Sequence, residues 1–106
     1  MTLSTKRQRE VAKAVTLIIP GASFADAEPI RQEALKRAYK TLPPSTAVWL
    51  ATVSHIRHVH TDYETLLKEG YERDAARHFV MDAINARLTD WRASRFIDAR
   101  DDLDDE

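Results

Sequence analysis

Along this chain the apolar residues recur in steps of three and four, the spacing of helices, and four such runs stand between turn signals. In the first, Val11, Ala14, Val15 and Ile18 share a stripe while Lys6, Arg7, Arg9, Glu10 and Lys13 face water; Ser4 or Thr5 caps its start and Pro20-Gly21 ends it. The second starts either at Ser23, with Asp26 three residues on, or about one turn later at Glu28-Pro29. The earlier start is preferred because it brings Phe24 into the core. Its inner face reads Ala27, Ile30, Ala34, Leu35, Ala38 and Leu42, and Leu42-Pro43-Pro44 breaks it.

Ser45 opens the third run. At about 100° per residue, Trp49, Val53, Ile56 and His60 fall on one arc, flanked by Val48, Thr52 and Val59 on one side and Leu50 and Arg57 on the other. Ala51, Ser54, His55 and His58 lie opposite, so His55 and His58 are expected to face outward and His60 inward. Thr61-x-x-Glu64 has the form of a reciprocal cap and predicts a short helix through Tyr63, Leu66 and Leu67, stopping at Gly70. A fourth main helix follows from Tyr71-Glu72, with Ala76, Phe79, Val80, Ala83, Ile84 and Trp91 as a continuous stripe and His78 and Asp82 opposite. The expected fold is all-α, a compact bundle of four main helices plus one short helix between the third and fourth, with both Trp49 and Trp91 buried.

Composition adds bounds. A chain of 106 residues with 43% hydrophobic and 31% charged residues suits one globular domain, and two glycines against many Ala, Leu, Arg, Lys and Glu favour helices over hairpins. The absence of cysteine excludes disulfides and thiolate ligands and fits a cytoplasmic protein. The longest apolar run, Ala14 to Pro20, is far short of a membrane span, and no signal-peptide pattern opens the chain, so no membrane partner is expected. The net charge of −1 hides an asymmetry. Residues 98–106 hold six acids against one arginine, which leaves +4 on residues 1–97. The expected organisation is a helical domain over 1–97 and an acidic, disordered tail over 98–106.

Candidate chemistry gathers in one stretch, where three of the four histidines, His55, His58 and His60, lie within six residues beside Arg57. His55 and His58 at i, i+3 could give a metal two ligands, but a site needs three or four, and no His-Glu-x-x-His signature supplies the rest. No metal and no cofactor is expected. His60 reads as a helix-end residue facing the negative pole of the dipole. A histidine near Asp62, Tyr63 or Glu64 could do acid-base work, yet no nucleophile motif or phosphate loop accompanies it. Arg31, Arg57 and Arg87 lie in or beside apolar arcs, where a guanidinium needs an acidic partner such as Asp62, Glu64, Asp74 or Asp90. Alternatively Arg57, His58, Arg73 and Arg77 form a concave basic surface for a phosphate backbone, against which the pI of about 6.4 weighs.

The run from Pro44 to Trp91, through His55-Ile56-Arg57-His58, Thr61-Asp62-Tyr63, Leu66-Leu67, Gly70, Arg73, Ala76-Arg77 and Val80, resembles the domain-of-unknown-function family numbered 2293, found in bacterial and fungal proteins. The resemblance spans about half the chain and implies no assigned activity. The expectation is a small cytosolic binding module for nucleic acid or a protein, with its site at His55, Arg57, His58, His60, Thr61, Asp62, Tyr63, Arg73 and Arg77. The alternative is a small hydrolase-like or metal-dependent enzyme using the same histidines.

Overall fold

A computed structural model describes residues 4–98, so the acidic run from residue 99 onward lies outside the described residues. Among those described, the chain is all-helical: α1 (Lys6–Ile18), α2 (Phe24–Ala34), a 3-10 turn (Arg37–Tyr39), α3 (Pro44–Val59), α4 (Tyr63–Lys68), α5 (Arg73–Phe79) and α6 (Met81–Asp90). No helix among these residues is long and apolar enough to cross a membrane.

Helix α3 is the centre of the bundle. It packs mainly on α1 and α2 and also touches α4 and α6, so it is buried on more than one side. Ala47, Val48, Ala51, Thr52 and Ile56 are inaccessible, and the Thr52 hydroxyl is satisfied locally by donating to the Val48 carbonyl at 2.7 Å. Ala51, expected on the water face, is therefore core. The helix starts at Pro44, one residue before the expected Ser45, as suits a proline whose missing N–H has no partner at that position.

Thr5 caps α1 through the reciprocal arrangement in which its hydroxyl accepts from the Gln8 amide and Gln8 accepts from the Thr5 amide. Val11, Ala14 and Val15 are buried as the stripe predicts. Helix α2 takes the earlier start, with Ser23 at the N-cap, but Phe24 points to solvent at 79% exposure instead of joining the core. The helix also stops at Ala34, well before Leu42. The Leu35 and Lys36 amides turn to carbonyls three residues back, and the Arg7 guanidinium donates to the Tyr39 and Leu42 carbonyls at 2.8 and 2.6 Å. With those carbonyls satisfied by α1, the chain curls away from helix, and Ala38 is exposed. Arg31 finds Glu28 and Gln32 joins the same carboxylate, so none of the four acids suggested from sequence is its partner.

The predicted fourth helix is two helices, broken at Val80 (φ −97°, ψ 4°). The buried row is Ala76, Val80, Ile84 and Leu88, in steps of four, not the stripe through Phe79 and Ala83. That row carries the predicted Ala76, Val80 and Ile84 across the break, whereas Ala83 and Phe79, the last residue of α5, are exposed, Phe79 at 61%. The bundle thus has six α-helices among the described residues rather than four main ones and a short one. Trp49 and Trp91 are both buried, as expected.

Two chain reversals depend on glycine. Gly70 ends α4 with φ +102°, while the Tyr71 amide reaches the Leu66 carbonyl and the Gly70 amide the Leu67 carbonyl, both at 3.1 Å. Gly21 donates to the Trp91 carbonyl at 2.8 Å, and a Cβ there would lie 3.0 Å from the Trp91 backbone. This close approach ties the α1–α2 turn to the end of α6. Asn85 then fastens the segment after α6 by donating to the Ile97 carbonyl (3.1 Å) and accepting from its amide (2.9 Å).

Candidate functional site

The end of α3 has two edges with different chemistry. On the inner edge, the first turn of α2 lies across the helix and presents Asp26. His55, on the penultimate turn of α3, and His60, its C-cap, both place Nε2 on the same carboxylate oxygen, Asp26 Oδ1, at 2.8 and 2.7 Å. A carboxylate only accepts, so each Nε2 carries the shared proton. Ser23 donates to the other oxygen, Oδ2, at 3.2 Å. All three site side chains are half-buried, at 13% (His55), 18% (Asp26) and 21% (His60) exposure. Burial pushes the Asp26 carboxyl up, but the hydrogen bonds from His55 and His60, the charge interaction with His60 and the Ser23 hydroxyl together bring it below its ordinary value. Behind His60 stands Trp91, edge-on at 5.9 Å between ring centroids, and His55 meets His60 edge-on at 5.8 Å.

The outer edge carries His58, which is exposed and whose Nδ1 contacts Glu64. His58 also stands edge-on to Tyr63 at 5.3 Å. Glu64 is thus engaged with His58, and the reciprocal cap expected from Thr61 and Glu64 is absent: Asp62 occupies the N-cap of α4 without a side-chain hydrogen bond. Thr61 instead joins the two helices, donating to the Arg57 carbonyl and accepting from the Tyr63 amide at 3.2 Å.

The structure therefore divides the predicted site residues. His55 faces inward, not outward, because α2 covers it. His60 is inward as expected. Arg57, Tyr63 and Arg77 are buried, with the Arg57 guanidinium 5.7 Å from the Tyr63 ring centre, while His58, Asp62 and Arg73 are exposed. Two of the four cations of the expected basic surface are thus interior, so that surface is not formed. Sequence reading missed Asp26 as a site residue. The only local signal was Ser23-x-x-Asp26, read as a helix start, and its partners lie 29 and 34 residues away.

Beside the inner edge, an open cleft of about 380 Å³ lies between the end of α3 and the α5–α6 break. His60, Thr61 and Asp62 form its polar rim, and Leu66, Val80, Tyr71 and Phe79 its apolar wall. Tyr71 and Phe79 pack edge to face at 5.4 Å, yet remain 44% and 61% exposed.

A family profile described as an uncharacterised conserved protein, DUF2293, matches residues 14–92, a span that includes Asp26, all of α3 and the cleft. No curated protein matches the chain, and no solved structure does.

Proposed function

Because the chain belongs to the uncharacterised DUF2293 family, its role has to be argued from its own surfaces, and we propose that it is a small cytoplasmic binding module that docks a segment of another protein in the cleft between α3 and the α5–α6 break. The observation that carries this reading is the pair Tyr71 and Phe79, two large rings left in solvent beside Asp62 in a concave site. Exposed aromatics around a cleft are the usual anchor points of protein interfaces. The rim chooses the partner: an aliphatic or aromatic side chain would fill the apolar wall, and an adjacent lysine or arginine would meet the Asp62 carboxylate.

Nucleic acid is the weaker partner. Phosphate binding requires cations at the surface, and Arg57 and Arg77 are buried, His58 is engaged by Glu64, and Arg73 has an interaction of its own. The cytoplasmic setting rests on the absence of cysteine.

Selection of a displayed random-peptide library on the full chain tests the reading. Enriched peptides should place an apolar residue next to a basic one. Phe79→Ala and Asp62→Asn should each weaken a selected peptide at least tenfold while leaving the thermal melt unchanged, since both positions are exposed. Peptide binding indifferent to both substitutions, or retention of single-stranded oligonucleotides with a steep salt dependence, would overturn it.

A further inference from the structure

We propose that Asp26, His55 and His60 form a binding site for a divalent first-row transition-metal ion, with zinc as the best fit. The three ligand atoms lie within 4.8 Å of one another and come from two helices whose positions are set by the core. Both imidazoles present the same nitrogen, Nε2, to one point beside Asp26 Oδ1. Donors around a tetrahedral zinc stand roughly 3.3 Å apart, so each N···O separation of 2.7–2.8 Å has to open by only about 0.5 Å to admit the ion. Side-chain rotation at the end of α3 can supply that much.

The donor set selects the metal. Two imidazoles and one carboxylate, with no thiolate, suit zinc, cobalt or iron(II) and not calcium or magnesium, which take oxygen donors. The surroundings resemble the outer shell of a metal centre. Ser23 holds the second carboxylate oxygen and so aims Oδ1 at the imidazoles, and the Trp91 edge fixes the plane of His60. At 13–21% exposure the three side chains are withdrawn from bulk water but still reachable, which leaves a fourth position for water or a substrate oxygen.

On uptake of the ion each Nε2 gives up its proton to solvent, and the ring, left with a proton on Nδ1, offers its Nε2 lone pair. The bound ion then takes the place of two hydrogen bonds as the link between α2 and α3.

The test is a cobalt(II) titration of the tag-free full chain after chelator treatment. One equivalent should develop a visible ligand-field band that saturates at micromolar concentrations and is abolished by equimolar zinc. Asp26→Asn, His55→Gln and His60→Gln should each weaken uptake by more than tenfold, and Ser23→Ala by about tenfold. His58→Gln and His78→Gln should leave it within about twofold, because neither is near the cluster. Phe79→Ala should leave it unchanged as well, so the metal site and the peptide cleft fail separately. Should a ligand variant not fold, the native chain still decides the matter: zinc should shift the ring resonances of His55 and His60 and spare those of His58 and His78. Absence of a saturable band, its survival in a folded Asp26→Asn chain, or zinc shifts at His58 and His78 in place of His55 and His60 would overturn the proposal.

Discussion

His55 and His58 lie three residues apart on one helix, yet they belong to different environments. His55, with His60, closes against Asp26 under the first turn of α2, at 13–21% side-chain exposure. His58 meets Glu64 and the Tyr63 ring on the short α4, and the His58–Glu64 pair stands at 45% and 54% exposure. Residue type and helix are shared, so the difference comes from the element that lies opposite. The inner edge joins parts of the chain 29 and 34 residues apart, whereas the outer contact spans six. Long-range links restrain the fold, and short exposed ones scarcely do. Substitutions can therefore break or sharpen the contrast.

The largest effect should come from Trp91, which backs His60 and whose carbonyl receives the Gly21 amide. At 4% exposure, Trp91→Ala should cost about 3–5 kcal/mol in a denaturant melt. A loss within the error of the melt would mean that the inner edge is no better anchored than the outer. Arg57 comes next. It is 5% exposed and next in sequence to His58, so Arg57→Ala should cost on the order of 3 kcal/mol, the range found when a buried charge loses its place in a network. Were the chain to lose less than about 0.5 kcal/mol, Arg57 would behave as a surface residue and the basic-surface reading would revive.

How far the sequence foretold this contrast can be followed residue by residue. The stripe of α1, the Ser23 start of α2, the Gly70 stop and the burial of both tryptophans were legible because each depends on residues within a turn or two of one another. Helical phase failed where tertiary contacts overrode it. A single-faced wheel puts Ala51 and His55 outside, but α3 is covered by α1 on one side and α2 on another. Leu35, Ala38 and Leu42 continue the period of α2, yet Arg7, some thirty residues earlier, takes the carbonyls of Tyr39 and Leu42. The stripe of the predicted fourth helix held at Ala76, Val80, Ile84 and Trp91 and failed at Phe79 and Ala83, which lie on an exposed flank. Asp26 escaped notice for the same reason: a carboxylate becomes a site residue only through what folding brings to it.

Asp26 itself should show an intermediate effect. Asp26→Ala removes the acceptor for two half-buried Nε2–H groups, one on α3 and one at its cap, and should cost about 1–2 kcal/mol in the metal-free chain, discounted from full burial because some solvent reaches both rings. Asp26→Asn, which keeps an acceptor oxygen, should cost less. Equal losses for Ala and Asn would assign the effect to charge and not to the hydrogen bonds.

The smallest effect belongs to the outer edge, and there the sharper quantity is a coupling energy. His58→Ala should change stability by less than about 0.5 kcal/mol, since an exposed pair loses to solvent screening and side-chain entropy most of what its charges gain. A double-mutant cycle on His58 and Glu64 should give a coupling below about 0.5 kcal/mol that shrinks further with added salt. The same cycle on Asp26 and His60 should give roughly 1 kcal/mol and resist salt, because the pair is shielded from the ionic atmosphere by α2 and Trp91. If the two couplings came out equal and equally screened, the covering helix would have no electrostatic consequence, and burial at the inner edge would be mere packing; unequal couplings make α2 the element that turns one histidine of this helix into part of a site and leaves its neighbour a surface residue.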